Sequence, residues 1–152
     1  MTDGVIEIAQ HWDIHYRHPA GQTGSEFFRA LRDKRLLGRR CPGCRRVLLP
    51  PRGFCDRCFV DTGEWVPVEP EGVLEAFTIV AQKFTGLPDP PYVIAYGRLR
   101  NADTAMANYL RGMDLSDIPS AAKRLRIGMP IRAVFCDHPD GRMTDFWFEL
   151  VP

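Results

Sequence analysis

Cys41-Pro42-Gly43-Cys44, ten further residues, then Cys55-Asp56-Arg57-Cys58: this is the stretch that decides the fold. A C-x-x-C turn lets two thiolates reach one ion while backbone amides donate to the sulfurs, and two such knuckles complete a tetrahedral sphere. With four sulfurs on the ion, no position stays open for water, so the metal stabilises structure and does no catalysis. Zinc is the expected ion on this spacing. A rubredoxin-type iron centre would use similar ligands, and a thioredoxin-like redox pair would need a βαβ setting that the proline-rich link does not provide.

Around this core the chain divides into three expected parts: an N-terminal arm and helix (1–38), a four-cysteine ribbon (39–64) and a β-barrel (65–152). Residues 1–24 alternate apolar and polar in places and read as an extended arm. Ser25 is the expected N-cap of a helix running to about Leu37, with Phe27, Phe28 and Leu31 on one side and Gly38 as its stop. The two knuckles are expected to be joined by a short hairpin. Strand-like runs follow at Glu64–Val68, Val73–Val80, Tyr92–Leu99, Thr104–Leu110, Pro130–Cys136 and Thr144–Leu150. Ile131, Ala133 and Phe135 alternate with polar residues, as do Thr144, Phe146, Phe148 and Leu150, which is the pattern of a half-buried sheet. One helix is expected at about Ser116–Ile127, with Leu115, Ile118, Ala122 and Leu125 at helical spacing and Gly128 as its stop. Mainly β, with one short helix between the later strands, this order fits a small Greek-key barrel of the OB type.

Composition limits the function classes. Hydrophobic residues make up 45% and charged residues 26%, the balance of a chain with a packed core. No apolar run approaches the roughly 20 residues of a membrane span. The first ten residues carry Asp3 and Glu7 and no basic segment, so a cytoplasmic location is expected. Net charge is only +1, yet nine basic residues lie between Arg32 and Cys58 against Asp33 and Asp56 alone. Zinc with four thiolates is a dianion, so part of that excess offsets the metal site. Arg39, Arg40, Arg45, Arg46 and Arg52 are the candidates to meet an acidic partner face or the phosphates of coenzyme A, against the plainer reading of solvated charges.

Other residues carry weaker signals. Trp12 and Tyr16 suit an arm that buries its rings against its own domain or a partner. Phe84 and Leu87 sit in a loop stiffened by Pro88, Pro90 and Pro91, which either packs on the barrel or meets a partner at low entropic cost. Cys136 with His138 reads more readily as a small hydrophobe beside a turn than as a nucleophile with its base. His11, His15 and His18 lack a ligand pattern. There is no catalytic triad motif, P-loop or dinucleotide fingerprint, so no catalytic residue is assigned.

The order of helix, Leu36-Leu37-Gly38-Arg39-Arg40-Cys41, Pro50-Pro51-Arg52, Cys55-Asp56-Arg57-Cys58, Glu64-Trp65-Val66 and Phe77-Thr78 resembles the zinc-ribbon/OB-fold small-subunit family associated with thiolase-like acyl-CoA enzymes. The resemblance runs from Ser25 through nearly the whole remainder. It implies a rubredoxin-like ribbon, an OB barrel and one structural Zn2+. It also implies a hetero-oligomer with a thiolase-superfamily large subunit that holds the catalytic groups, with a coenzyme A thioester as ligand of the complex. The long arm before Ser25 is similar to a subgroup found with thiolases of anaerobic aromatic degradation. Two rival classes stand beside this reading: an acyl-CoA-binding module acting alone, and a single-stranded nucleic-acid binder. Against the latter, acids outnumber bases from Asp61 to Pro152, a poor phosphate track.

Overall fold

A computed structural model describes Ile6, Ile8, Ala9 and residues 17–152. Of the expected arm (1–24), residues 1–5, 7 and 10–16, Trp12 and Tyr16 among them, lie outside the described residues, and residues 21–24 belong to a helix instead.

Helix α1 spans Gly21–Arg32 and buries Phe27, Ala30 and Leu31 on one face. It starts a turn before Ser25, which therefore lies inside it and caps nothing; the N-cap is Ala20. It also stops short of Leu37. Lys34 takes a left-handed conformation at φ 56°, and Leu36 enters a strand. The Leu36 backbone pairs with Val68, and Gly38 pairs with Val66. Gly38 ends no helix. A Cβ there would lie 2.6 Å from Val47 Cγ1, so glycine lets two strands and their side chains close together.

Strands β1 (Leu36–Arg40), β2 (Val47–Leu48) and β3 (Trp65–Val68) form one antiparallel sheet in the order β2-β1-β3. The expected hairpin between the knuckles does not form. Instead β2 folds back on β1, pairing Arg40 with Val47, while an isolated bridge joins Phe54 to Asp61. Each knuckle is the turn of its own short loop.

The remaining strands, β4 (Glu71–Val80), β5 (Tyr92–Leu99), β6 (Met106–Arg111), β7 (Pro130–Phe135) and β8 (Phe146–Leu150), close a barrel in the order β4-β5-β6-β8-β7. Only β6 and β8 run parallel. Helix α2 (Ile118–Arg124) bridges β6 to β7, shorter than its apolar spacing suggests. Asp117 caps it by accepting from Ser120 N and Ser120 Oγ, and these bonds hold its carboxyl below the ordinary range. Its buried residue is Ala121, whereas Ala122 is exposed and Leu125 packs from beyond the helix end. Gly128, at φ 89°, turns the chain towards β7 and terminates nothing helical. Thr144 belongs to a 3-10 turn at Met143–Asp145, so β8 begins at Phe146. Among the described residues no helix is long and apolar enough to cross a membrane.

One hydrophobic core joins all three parts. Phe27 and Leu31 of α1 and Leu36, Val47, Leu49, Val66 and Val68 of the ribbon belong to the same buried cluster as Leu74, Val93, Met106, Ile131, Phe146 and Phe148 of the barrel. Polar contacts fix the register of that junction. Asp103 accepts from Val47 N at 2.8 Å through its carboxylate and donates its own N–H to the Val47 carbonyl at 2.8 Å. Thr104 Oγ1 accepts from Leu49 N and donates to Leu49 O, each at 2.8 Å. Thr104 thus lies in the β5–β6 loop and mimics a strand partner for β2, which is why it is missing from the strand its sequence suggests. Because Leu49 is fully buried, Thr104→Val leaves both of its backbone groups unpaired and should cost about 1–3 kcal/mol in urea unfolding of zinc-saturated protein, with Thr104→Ser close to wild type.

Candidate metal centre

Both knuckles are built by the same backbone device. Cys41 leaves the end of β1, and the Arg45 N–H donates back to the Cys41 carbonyl at 3.0 Å. In the second knuckle the Phe59 N–H donates to the Cys55 carbonyl, also at 3.0 Å. The residue after each second cysteine is left-handed, Arg45 at φ 64° and Phe59 at φ 56°. Neither is glycine or asparagine, so residue type gives no signal for these turns. Gly43, in contrast, sits where space is tight: a Cβ there would lie 3.2 Å from Cys58 Sγ.

The four sulfurs all lie within 4.8 Å of one another, and Cys44 Sγ and Cys55 Sγ are 3.8 Å apart. A tetrahedron of Zn–S bonds of about 2.3 Å has edges of about 3.8 Å, so the spacing suits a zinc ion. Cys44 N donates to Cys41 Sγ at 3.4 Å, the amide-to-sulfur bond that stabilises a bound thiolate. Cys41 and Cys55 are fully buried, while Cys44 and Cys58 are half-buried. Without a cation Cys58 holds its proton. The Cys58 thiol is pushed up to about 12, first by its hydrogen bond with Cys44, then by desolvation and the neighbouring thiols. A divalent ion replaces that proton and removes the repulsion between sulfurs. Among the described residues this is the one group of metal-ligating side chains brought together. Cys136 stands apart from it, half-buried, and His138 is exposed.

The arginines that follow from the sequence as contact candidates are largely engaged within the chain. Arg39 donates to Thr62 Oγ1 and to the Thr62 carbonyl, and its guanidinium lies 4.8 Å from the centroid of the Trp65 ring. Arg40 pairs with Glu64 at 3.0 Å. Arg46 and Arg52 share Asp56 at 3.5 and 3.4 Å. Arg45 is exposed, with no ion pair among the described residues. Phe84 and Leu87, each 54% exposed, lie on the β4–β5 loop and not in the core. The buried partner Thr62 escaped sequence reading, since a lone threonine in a turn carries no signal until Arg39 and the Arg52 carbonyl, which its hydroxyl serves, are placed around it.

A four-thiol ribbon joined through a common core to a five-stranded barrel defines the class: a zinc-ribbon/OB-fold protein. Known families agree with that geometry. The ChsH2 rubredoxin-like zinc ribbon domain matches residues 28–64, and the ChsH2 C-terminal OB-fold domain matches residues 65–136. The chain belongs to this ChsH2-type (DUF35) family. It is 25% identical over 107 residues to a probable enoyl-CoA hydratase alpha subunit of Thermomonospora curvata, a match covering 69% of this chain and 30% of that protein. It therefore spans less than a third of that relative's length. Two solved structures share the fold. One is a DUF35-family protein of unknown function from Sulfolobus solfataricus, with TM-score 0.61 and 22% identity over 86% of this chain and 87% of that one. The other is the Ltp2-ChsH2(DUF35) aldolase, with TM-score 0.63 and 21% identity over 89% of this chain and 98% of that one.

The site generates a direct expectation. Removing zinc with a strong chelator, or Cys44→Ser, should leave the barrel's β signal largely intact but unfold the ribbon, lowering the thermal midpoint and exposing the amides of β1 and β2 to hydrogen exchange. Unchanged protection of Arg39 and Leu48 in metal-free protein would refute a folding role for the ion.

Proposed function

We propose that this chain is a non-catalytic, zinc-binding accessory subunit of a thiolase-like complex that processes an acyl-CoA, making or cleaving a C–C bond with acyl transfer to coenzyme A. One observation carries the reading: the ribbon and barrel superpose on 98% of a chain from an assembly described as the Ltp2-ChsH2(DUF35) aldolase, so a module of this size and fold occurs alongside an enzyme. The relative named as a probable enoyl-CoA hydratase alpha subunit supports acyl-CoA chemistry as the setting.

The metal centre is consistent with this division of labour. Four sulfurs close the coordination sphere, leaving no site at which zinc could bind water or polarise a carbonyl. In this reading the large subunit supplies the reacting groups. This chain supplies a rigid surface, for which Phe84, Leu87, Arg45 and the residues of the arm, Trp12 and Tyr16 among them, are the contact candidates. The engaged arginines, Arg39, Arg40, Arg46 and Arg52, serve chiefly to hold the ribbon. The narrower version, a subunit of a thiolase that cleaves benzoylsuccinyl-CoA in aromatic degradation, rests on the length of the arm before Ser25.

Affinity purification of the tagged chain from its native cells, with mass spectrometry of the eluate, tests the reading. The expected result is a stoichiometric thiolase-superfamily protein, together with acyl-CoA turnover that disappears when this chain is stripped away and returns when it is added back. Recovery of the chain alone, or with nucleic acid bound in a steeply salt-dependent manner, would contradict it.

A further inference from the structure

On the outer face of the barrel, away from the ribbon, a cleft of about 480 Å3 opens between the base of the β4–β5 loop and the facing ends of β5 and β6. Its walls are apolar or aromatic, with Pro91, Tyr92, Tyr109, Met113 and Leu115 among them. Arg111, the last residue of β6, is the one charged side chain that lines it among the described residues. The size falls within the range of small-molecule sites, and prolines on one wall keep it formed at low entropic cost.

Arg111 is held by its face, not by its hydrogen-bonding edge. Its guanidinium carbon lies 4.3 Å from the Trp147 ring centroid and 5.9 Å from that of Tyr109, which meets Tyr92 edge-on at 5.7 Å. Stacking of this kind orients a guanidinium while leaving its N–H groups able to grip a carboxylate through two parallel bonds. Arg111 makes no ion pair with any described carboxylate. Glu149 stands opposite it in the β6–β8 register, but one of its carboxylate oxygens accepts from Trp147 Nε1 at 2.8 Å. A neighbouring negative charge penalises each added charge on a guest, so a monoanion is disfavoured less than a phosphate or a nucleotide.

We propose that this cleft binds a small monocarboxylic acid with a compact apolar body, its carboxylate on Arg111 and its ring or branched chain against Tyr92, Tyr109, Met113 and Leu115. The site is separate from the zinc centre and does not depend on the accessory role.

The test uses the full-length, zinc-loaded chain with 3-phenylpropionate as the probe, followed by calorimetry and amide chemical shifts. Saturable binding is expected, with shifts clustered at residues 92, 109–115 and 147. The uncharged amide, 3-phenylpropanamide, should bind roughly tenfold more weakly, as should the acid to Arg111→Met, because each loses the charge-assisted fork. Arg111→Met should leave binding of the amide unchanged, which separates loss of the charge from loss of the fold. Glu149→Gln should bind the acid as tightly as wild type or more so. No saturable binding up to the solubility limit, equal affinity for acid and amide, or an undiminished response in Arg111→Met would overturn the proposal.

Discussion

The structure depends on the need to neutralise four cysteine sulfurs held within one small volume. Ionised without a cation they would repel, and the upward push on Cys58 reflects how its neighbours disfavour the thiolate. A zinc ion turns that conflict into the strongest local constraint in the chain. It ties the end of β1 to the loop Phe54–Asp61, and through β1 it positions β2 and β3. The sheet has only three short strands, and two-residue β2 could not hold its place by backbone pairing alone.

The second consequence is that the ribbon shares its core and its backbone pairing with the barrel. Val47 and Leu49 each give their backbone groups to the β5–β6 loop of the barrel, and their side chains join the barrel's core together with Phe27 and Leu31 of α1. The polar contacts fix register, the apolar ones supply the stabilisation, and the metal fixes the far end. Order imposed at the sulfurs is thereby transmitted to the barrel surface. In the proposed accessory role this coupling is an advantage, since a rigid face loses less conformational entropy on association.

Much of this was legible because the relevant signals are local. The cysteine spacing brings all four sulfurs to one point, and the apolar, aromatic run Tyr92–Leu99, bounded by turn residues, marks β5 at its observed bounds. Sequence reading went astray where a distant partner decides the conformation. Leu36 falls within the expected span of the helix but pairs with Val68, Gly38 looks like a helix stop but makes room for Val47, and Thr104 looks like strand but caps the Leu49 backbone. Arg45 and Phe59 adopt left-handed turns without the residue types that announce them. The stack of Arg111 on Trp147 was equally invisible, since it depends on β6 and β8 running parallel across the 35 intervening positions of unrelated pattern between residues 111 and 147.

Zinc K-edge X-ray absorption on protein purified without added metal bears most directly on the claim that a closed tetrathiolate ion organises this chain. The account predicts one zinc per chain with four sulfur neighbours at about 2.3 Å and no lighter ligand. A sphere containing oxygen or nitrogen, fewer than four sulfurs, or a folded ribbon with no metal bound would contradict it.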